Sequence, residues 1–280
     1  MKIGKYTLHV VTSGYFKLDG GAMFGIIPRS LWEKTNMPDN ENRIKLATRN
    51  LLLISESKKI LIDTGMGNKW EEKAKNIYAI EQDEYSINSS LQKINFKVDD
   101  ITDVILTHLH FDHTGGSTIY EGGKIFPAFS NAQYYVSKKN YDWATAPSDR
   151  DRGSYIKENF IPLKEAGVLN FFNDKFFDDE IELIEINGHT FGQNLIKISN
   201  GGETLLFCGD LFPTASHIPL PYIMGYDLQP LVTLEEKKKI LPRAVNESWK
   251  LFFEHDPFYP VATVTQSEKG FIVDKKYENL

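Results

Sequence analysis

Six consecutive residues, His108-Leu109-His110-Phe111-Asp112-His113, put four metal-capable side chains into one short stretch. They follow the apolar run Val104-Ile105-Leu106 and lead into Thr114-Gly115-Gly116. A packed core seldom carries three imidazoles and a carboxylate side by side, because each buried polar group demands a partner. A solvated loop tolerates them but has no need of them behind a buried strand and ahead of a glycine pair. Clustered His and Asp at ligand spacing point to a metal site. On extended backbone, residues two apart point the same way, so His108 and His110 can hold one ion. After the turn, Asp112 and His113 face a second position.

The remaining histidines are His9, His189, His217 and His255. His189 and His255 each follow an apolar run, where a strand should end, and so does Asp210 in Cys208-Gly209-Asp210. Sheets that expose these strand ends on one rim would gather them into a single cleft. The reading assigns His108, His110 and His189 to a first ion and Asp112, His113 and His255 to a second. Asp210 bridges, because a carboxylate between two cations reduces their repulsion. Imidazole and carboxylate suit zinc, with manganese, iron or cobalt as alternatives. Two divalent ions against the two charges of Asp112 and Asp210 leave a positive site. Such a site generates hydroxide near neutral pH and polarises a carbonyl or phosphoryl oxygen, so hydrolysis is the reaction class expected. Structural zinc sites are closed by four ligands, often cysteines; seven ligands without a cysteine do not match that pattern.

The elements that must position these groups are readable in outline. Residues 50–55 and 60–62 form a hairpin that ends at Asp63-Thr64-Gly65. Helical periodicity covers 70–80 and 86–95, with Ile87, Leu91 and Ile94 on one face. Strands are predicted over 104–107, 133–137 and 181–186, a helix over 138–144, and a hairpin of 195–198 with 204–207 around Asn200-Gly201-Gly202. A helix and then a short strand fill 234–253. Met23 and Phe24 fall in a glycine-rich stretch poor in regular structure. Strands and helices mix throughout, which argues for mixed sheets covered by helices and against a doubly wound nucleotide-binding fold.

The chain has 280 residues, 41% of them hydrophobic, enough for one large domain spanning 1–280 with a substantial core. Its net charge of −6 would repel phosphate backbones, so no nucleic acid is expected as partner. The run Lys237-Lys238-Lys239 after Glu235-Glu236 reads as a solvated helix face. The single cysteine, Cys208, lies in an apolar run and reads as a small buried hydrophobe. The first eleven residues lack the apolar stretch of a secretory signal, and no segment has the length of a membrane span, so a cytoplasmic protein without membrane association is expected.

The H-x-H-x-D-H motif with Gly115-Gly116, Gly188-His189, Gly209-Asp210 and His255 resembles the metallo-β-lactamase superfamily, over residues from about 50 to 256. The resemblance implies an α/β fold, an αβ/βα four-layer sandwich of two mixed sheets flanked by helices, with a dimetal site on one rim. It also implies that Asp63 supports a metal-bound histidine from behind. A finer resemblance is to the quorum-quenching N-acyl-homoserine lactonases of the YtnP type. It is carried by Asp19-Gly20-Gly21-Ala22-Met23-Phe24-Gly25 leading to Pro28 and Trp32, by Thr107 to His113, and by Gly209-Asp210-Leu211-Phe212-Pro213-Thr214-Ala215 running on through His217, Pro219 and Tyr226-Asp227.

That resemblance implies a lactone substrate, a homodimer, and ring opening by a metal-bridging hydroxide. Asp112 and Asp210 are then the catalytic carboxylates, with Asp112 or a metal-bound water protonating the leaving alkoxide. Many of these lactonases place a tyrosine three residues after the bridging Asp, where this chain has Pro213; Tyr222 or Tyr226 can replace it, although tyrosines also simply pack. Gln193 stands where relatives often carry another histidine. Met23 and Phe24 fit either core filling or an acyl-chain contact. His217 fits either a hydrogen-bonded structural role or a substrate contact, and His9 a structural one. Phosphotriester or phosphodiester cleavage on the same metals is the alternative hydrolytic reading. A thioesterase is less favoured, because only 25 residues follow His255, and so is a mononuclear iron dioxygenase. A true β-lactamase is disfavoured as well.

Overall fold

The computed structural model describes residues 1–82 and 84–280. Apolar runs form the inner strands of two mixed sheets, each seven-stranded among the described residues, and helices fill the connections. The first sheet has the order Lys2–Ile3, Tyr6–Asp19, Arg43–Ile54, Lys59–Ile62, Asp103–Ile105, Gln133–Val136, Leu169–Phe171. Its last four strands are parallel. Of these, Lys59–Ile62 and Asp103–Ile105 are buried on both faces, the condition under which parallel strands read as continuous apolar runs. The second sheet has the order Phe176–Asp178, Ile181–Ile186, Gln193–Asn200, Glu203–Phe207, Lys250–Phe252, Val261–Ser267, Gly270–Tyr277. Glu203–Phe207 pairs in parallel with Lys250–Phe252, the one parallel pair of this sheet among the described residues.

The chain divides into two compact units. The first comprises Met1–Tyr15 and Thr48–Lys175, and the second Phe16–Ala47 and Phe176–Leu280. The long strands Tyr6–Asp19 and Arg43–Ile54 each contribute residues to both. The first unit has a core built on Leu52, Leu61, Val104, Leu106, Tyr134 and Phe160. In the second, Leu195, Leu206, Phe212, Leu241, Trp249 and Phe253 are central.

Strand ends follow one rule. Ile105, Ile186, Phe207 and Phe252 are last residues of their strands. Three residues beyond each come His108, His189, Asp210 and His255 in turn. Phe207 and Phe252 are in register, so Asp210 and His255 leave the same end of their parallel pair. In the first sheet Asp63 and Thr107 likewise leave the ends of Lys59–Ile62 and Asp103–Ile105, where Ile62 faces Ile105. Carboxyl ends of parallel strands are where open α/β sheets place their ligands.

Several elements differ in extent from the sequence reading. The late helix begins at Pro230 and ends at Asn246, because a proline at the first helical position has the right φ and no N–H to leave unpaired. The helix Ile87–Lys93 starts at a Ser86 capping box. Gly20–Phe24 is a short helix, capped by Asp19 accepting from Ala22 N, and not an irregular loop. Among the described residues no helix is long and apolar enough to cross a membrane.

Candidate metal centre

In the first unit, His110 caps the single-turn helix Phe111–Thr114, which turns the chain so that Asp112 and His113 follow His108 and His110 without a break. The turn is seated by close backbone packing: a Cβ on Gly115 would run into the carbonyl oxygen of Met66. Asn140 accepts from Leu109 N at 2.9 Å. Lys69 donates to the carbonyls of Gly115 and Thr118; burial pushes its pKa down to about 8, against the pull of Glu158.

Asp63, fully buried, is the hub of this half. Its carboxylate accepts from Thr107 N at 2.7 Å, Thr107 Oγ1 at 2.6 Å and His113 Nδ1 at 3.0 Å. With its proton spent on Asp63, the Thr107 hydroxyl accepts from His108 Nδ1 at 3.1 Å. One carboxylate thereby fixes the tautomers of two histidines and leaves each Nε2 lone pair available, the arrangement that metal-binding imidazoles need. His108 Nε2 lies 3.1 Å from His110 Nδ1. Trp70 and Tyr78 pack on Phe111, and Tyr155 packs on His110 at 4.7 Å. Burial pushes the Tyr78 hydroxyl pKa up, reinforced by the Asp112 charge.

The second unit holds His189, Asp210 and His255. Asp210 stands between the two imidazoles, with Oδ2 3.1 Å from His189 Nε2 and Oδ1 3.3 Å from His255 Nε2. Both rings are oriented from behind. His189 Nδ1 donates to Asp227 at 2.9 Å, and His255 Nδ1 to the carbonyl of Ala47 at 2.8 Å. Burial lowers the His189 pKa, but Asp210 and Asp227 outweigh it and hold the ring up to about 10. The metal-free chain therefore keeps a positive charge at His189, and a divalent cation held there would have to displace that proton. Each unit thus presents buried imidazole and carboxylate donors, pre-oriented through their outer atoms and suited to divalent metal.

The substrate candidates are placed less alike. Met23 and Phe24 are buried, and Phe24 is stacked between Trp32 and His217. His217 is also buried, with Nδ1 2.8 Å from Thr214 Oγ1 and Nε2 2.9 Å from Met23 O. Burial pushes its pKa down to about 3. These three serve as packing and as internal hydrogen bonds. Tyr222 is half-buried and Tyr226 is 39% exposed, so both present surface. Pro213 is buried, and its carbonyl accepts from His255 N. Gln193 is fully buried, with both amide atoms unpartnered among the described residues. Cys208 is buried, as its apolar surroundings imply.

The solvated reading of Lys237-Lys238-Lys239 requires correction. Lys238 and Lys239 are exposed, but Lys237 is fully buried. Three partners also escaped the sequence reading: Thr107 behind His108, Asp227 behind His189, and Lys69. Asp227 sits 38 positions from His189, a separation that no local spacing reveals.

Comparison with known proteins agrees with this geometry. The sequence pattern of the Metallo-beta-lactamase superfamily matches residues 46–266. An N-acyl homoserine lactonase of Bacillus cereus is 26% identical over 94% of this chain and 97% of its own length. A probable metal-dependent hydrolase from Staphylococcus aureus, of known crystal structure, superposes with a TM-score of 0.89 at 32% identity, covering 99% of this chain and 98% of its own. AidC, a dizinc quorum-quenching lactonase in complex with a product, gives a TM-score of 0.82 at 24% identity over 99% of this chain and 96% of its own.

Proposed function

The chain belongs to the metallo-β-lactamase superfamily and is a metal-dependent hydrolase with that αβ/βα fold; from this premise we propose that it opens N-acyl-homoserine lactones at a dinuclear centre. In this reading His108, His110 and His189 would hold one ion, Asp112, His113 and His255 the other, and Asp210 would serve both. Zinc is the metal proposed, on the donor set.

The observation that carries the reading is the posture of Asp210, one oxygen toward each of two histidines whose outer nitrogens are already committed. A carboxylate so placed suits two cations better than one. Bound divalent ions supply an activated water and a Lewis acid for the lactone carbonyl. The chain's own contribution is orientation and proton handling. Asp63 and Asp227 hold the imidazoles in the metal-binding tautomer. Asp112 takes a proton from the attacking water and returns it to the ring oxygen as the ester C–O bond breaks, giving an acid and an alcohol. The apolar surface of Trp70, Tyr78 and Phe111 beside Asp112 suits an acyl chain, and Tyr222 and Tyr226 remain the candidates for polar substrate contact. Full-length similarity to a protein named as a lactonase supports the choice of lactones over other esters.

The test is a turnover panel on zinc-reconstituted protein, covering acyl-homoserine lactones, aliphatic lactones, a phosphotriester and a thioester. The highest kcat/KM is expected on an acyl-homoserine lactone, with activity lost on chelation and restored by zinc. A phosphotriester turned over faster than every lactone would overturn the lactonase assignment.

A further inference from the structure

The helix Pro230–Asn246 turns three side chains toward the loops of the second unit: Thr233, Glu236 and Lys237, at the i, i+3, i+4 spacing of one helix face. Thr233 Oγ1 donates to Asp227 at 2.8 Å, behind His189. Glu236 accepts from the N–H groups of Asn187 and Gly188, next to His189. Lys237 reaches furthest. Its ammonium donates to the carbonyls of His217 at 2.7 Å, Pro219 at 2.8 Å and Tyr222 at 2.9 Å. An ammonium group has three N–H donors and no acceptor, so these three carbonyls use it fully in the protonated state, which the folded chain keeps below about pH 7.

The fastened segment has a particular place in the chain. It leaves Asp210 and returns at Asp227, so it is strung between one metal-ligand candidate and the carboxylate that orients another. Its other side is tied to the helix Gly20–Phe24, through His217 to Met23 O and through Gly225 N to Ala22 O at 2.8 Å. Tyr222 closes edge-on against Phe24 at 6.1 Å. Among the described residues no carboxylate lies within ion-pair distance of Lys237. The charge is met only by the more distant Asp227 and the face of Phe212 at 5.5 Å, and a buried ammonium so placed is a costly way to pack a helix, where leucine or methionine would serve.

We propose that Lys237 is a positioning residue for substrate binding: by fixing the carbonyls of His217, Pro219 and Tyr222 to the helix, it sets where Tyr222 stands against a bound acyl-homoserine lactone. This rests on the lactonase reading above. It assigns Lys237 to the fit of the substrate and not to ring opening, so its loss acts on KM.

The experiment compares Lys237→Met, which keeps length and loses every donor, with Lys237→Arg, which keeps a cation and N–H donors. Steady-state kinetics are measured on zinc-reconstituted protein with short- and long-chain acyl-homoserine lactones, together with zinc content and thermal midpoint. Lys237→Met is expected to raise KM about tenfold with kcat within about threefold and zinc content unchanged; Lys237→Arg recovers part of the loss. Lys238→Met, one residue on and exposed, changes neither constant. An unchanged KM in Lys237→Met, or a fall in kcat that tracks lost zinc, overturns the proposal. If Lys237→Met does not fold, Lys237→Arg decides, because its altered geometry must still shift KM. A wild type that opens no lactone overturns the lactonase reading and this inference with it; a wild type that does, with KM insensitive to position 237, overturns the inference alone.

Discussion

At the scale of single residues, Asp63 shows how few atoms organise the centre. One buried carboxylate takes hydrogen bonds from Thr107 N, Thr107 Oγ1 and His113 Nδ1. It sits at φ 56°, in the left-handed region that Asp and Asn tolerate best. Asp63→Asn therefore keeps the backbone and changes only the acceptor. Its amide can accept at one atom, leaving a buried donor opposed by another donor. A loss of about 1–3 kcal/mol in stability is expected, with a fall in zinc affinity of about 10–100-fold, read by chelator competition. Unchanged affinity would remove Asp63 from the metal's support. Four of the seven candidate ligands, His108, His110, Asp112 and His113, stand out in the sequence because they are packed into six residues. Asp63 was legible only through the family resemblance. Thr107, Asp227 and Lys237 were not, because their roles are tertiary. In the sequence Lys237 is indistinguishable from its solvated neighbours Lys238 and Lys239, and only its burial beneath the 217–222 carbonyls separates them.

At the scale of elements, the recurring offset of three residues from strand end to candidate ligand makes the strands the ruler of the candidate site. The apolar runs that form the inner strands were readable for that reason. Less was visible in the strands that carry alternating or polar patterns, such as Thr118–Glu121 and Lys124–Pro127, or Val261–Ser267 and Gly270–Tyr277. Their stability comes from partners and not from their own periodicity. The seam between Gly188 and the helix Pro230–Asn246 tests the ruler. A Cβ at Gly188 would lie 2.5 Å from Thr233 N and 2.6 Å from Thr233 Cα, backbone atoms that cannot swing aside. Gly188→Ala must push the His189 loop off the helix. It is expected to lower stability by about 1–3 kcal/mol and zinc affinity by about tenfold or more. Gly153→Ala, where a Cβ meets nothing within 4 Å, should stay within about 0.5 kcal/mol of wild type. Urea unfolding and zinc titration of the two variants separate the outcomes. Equal behaviour would mean that the loop and the helix do not depend on contact.

At the scale of the whole molecule, the buried titratable groups oppose one another, and their sum sets how the metal-free chain responds to pH. His189 is held up to about 10 and Lys237 is pushed down to about 7. Between pH 7 and 8 the native state binds an extra proton at His189 while the unfolded chain binds one at Lys237, so the two slopes cancel. Below that window both groups are protonated in either state. His217, pushed down to about 3 by burial, then acts alone among these three. Its folded pKa is depressed below the unfolded value near 6.5. The stability it contributes is complete above pH 6.5 and is lost as pH falls toward 3, because the unfolded chain takes up a proton that the native ring refuses. The slope is about 1.4 kcal/mol per pH unit for one proton. The expected result is a metal-free protein whose urea midpoint varies little with these groups from pH 7 to 8 and falls steadily from 6.5 to 5, above the carboxylate range. His217→Asn, which keeps a donor and an acceptor but cannot ionise, should flatten that fall relative to wild type. Contributions from other groups, Glu236 included, cancel in the comparison. If the two proteins lose stability in parallel from pH 6.5 to 5, the buried neutral His217 is not the source of acid sensitivity. The packing of its ring between Thr214 and Met23 would then have to give way before the ring is protonated.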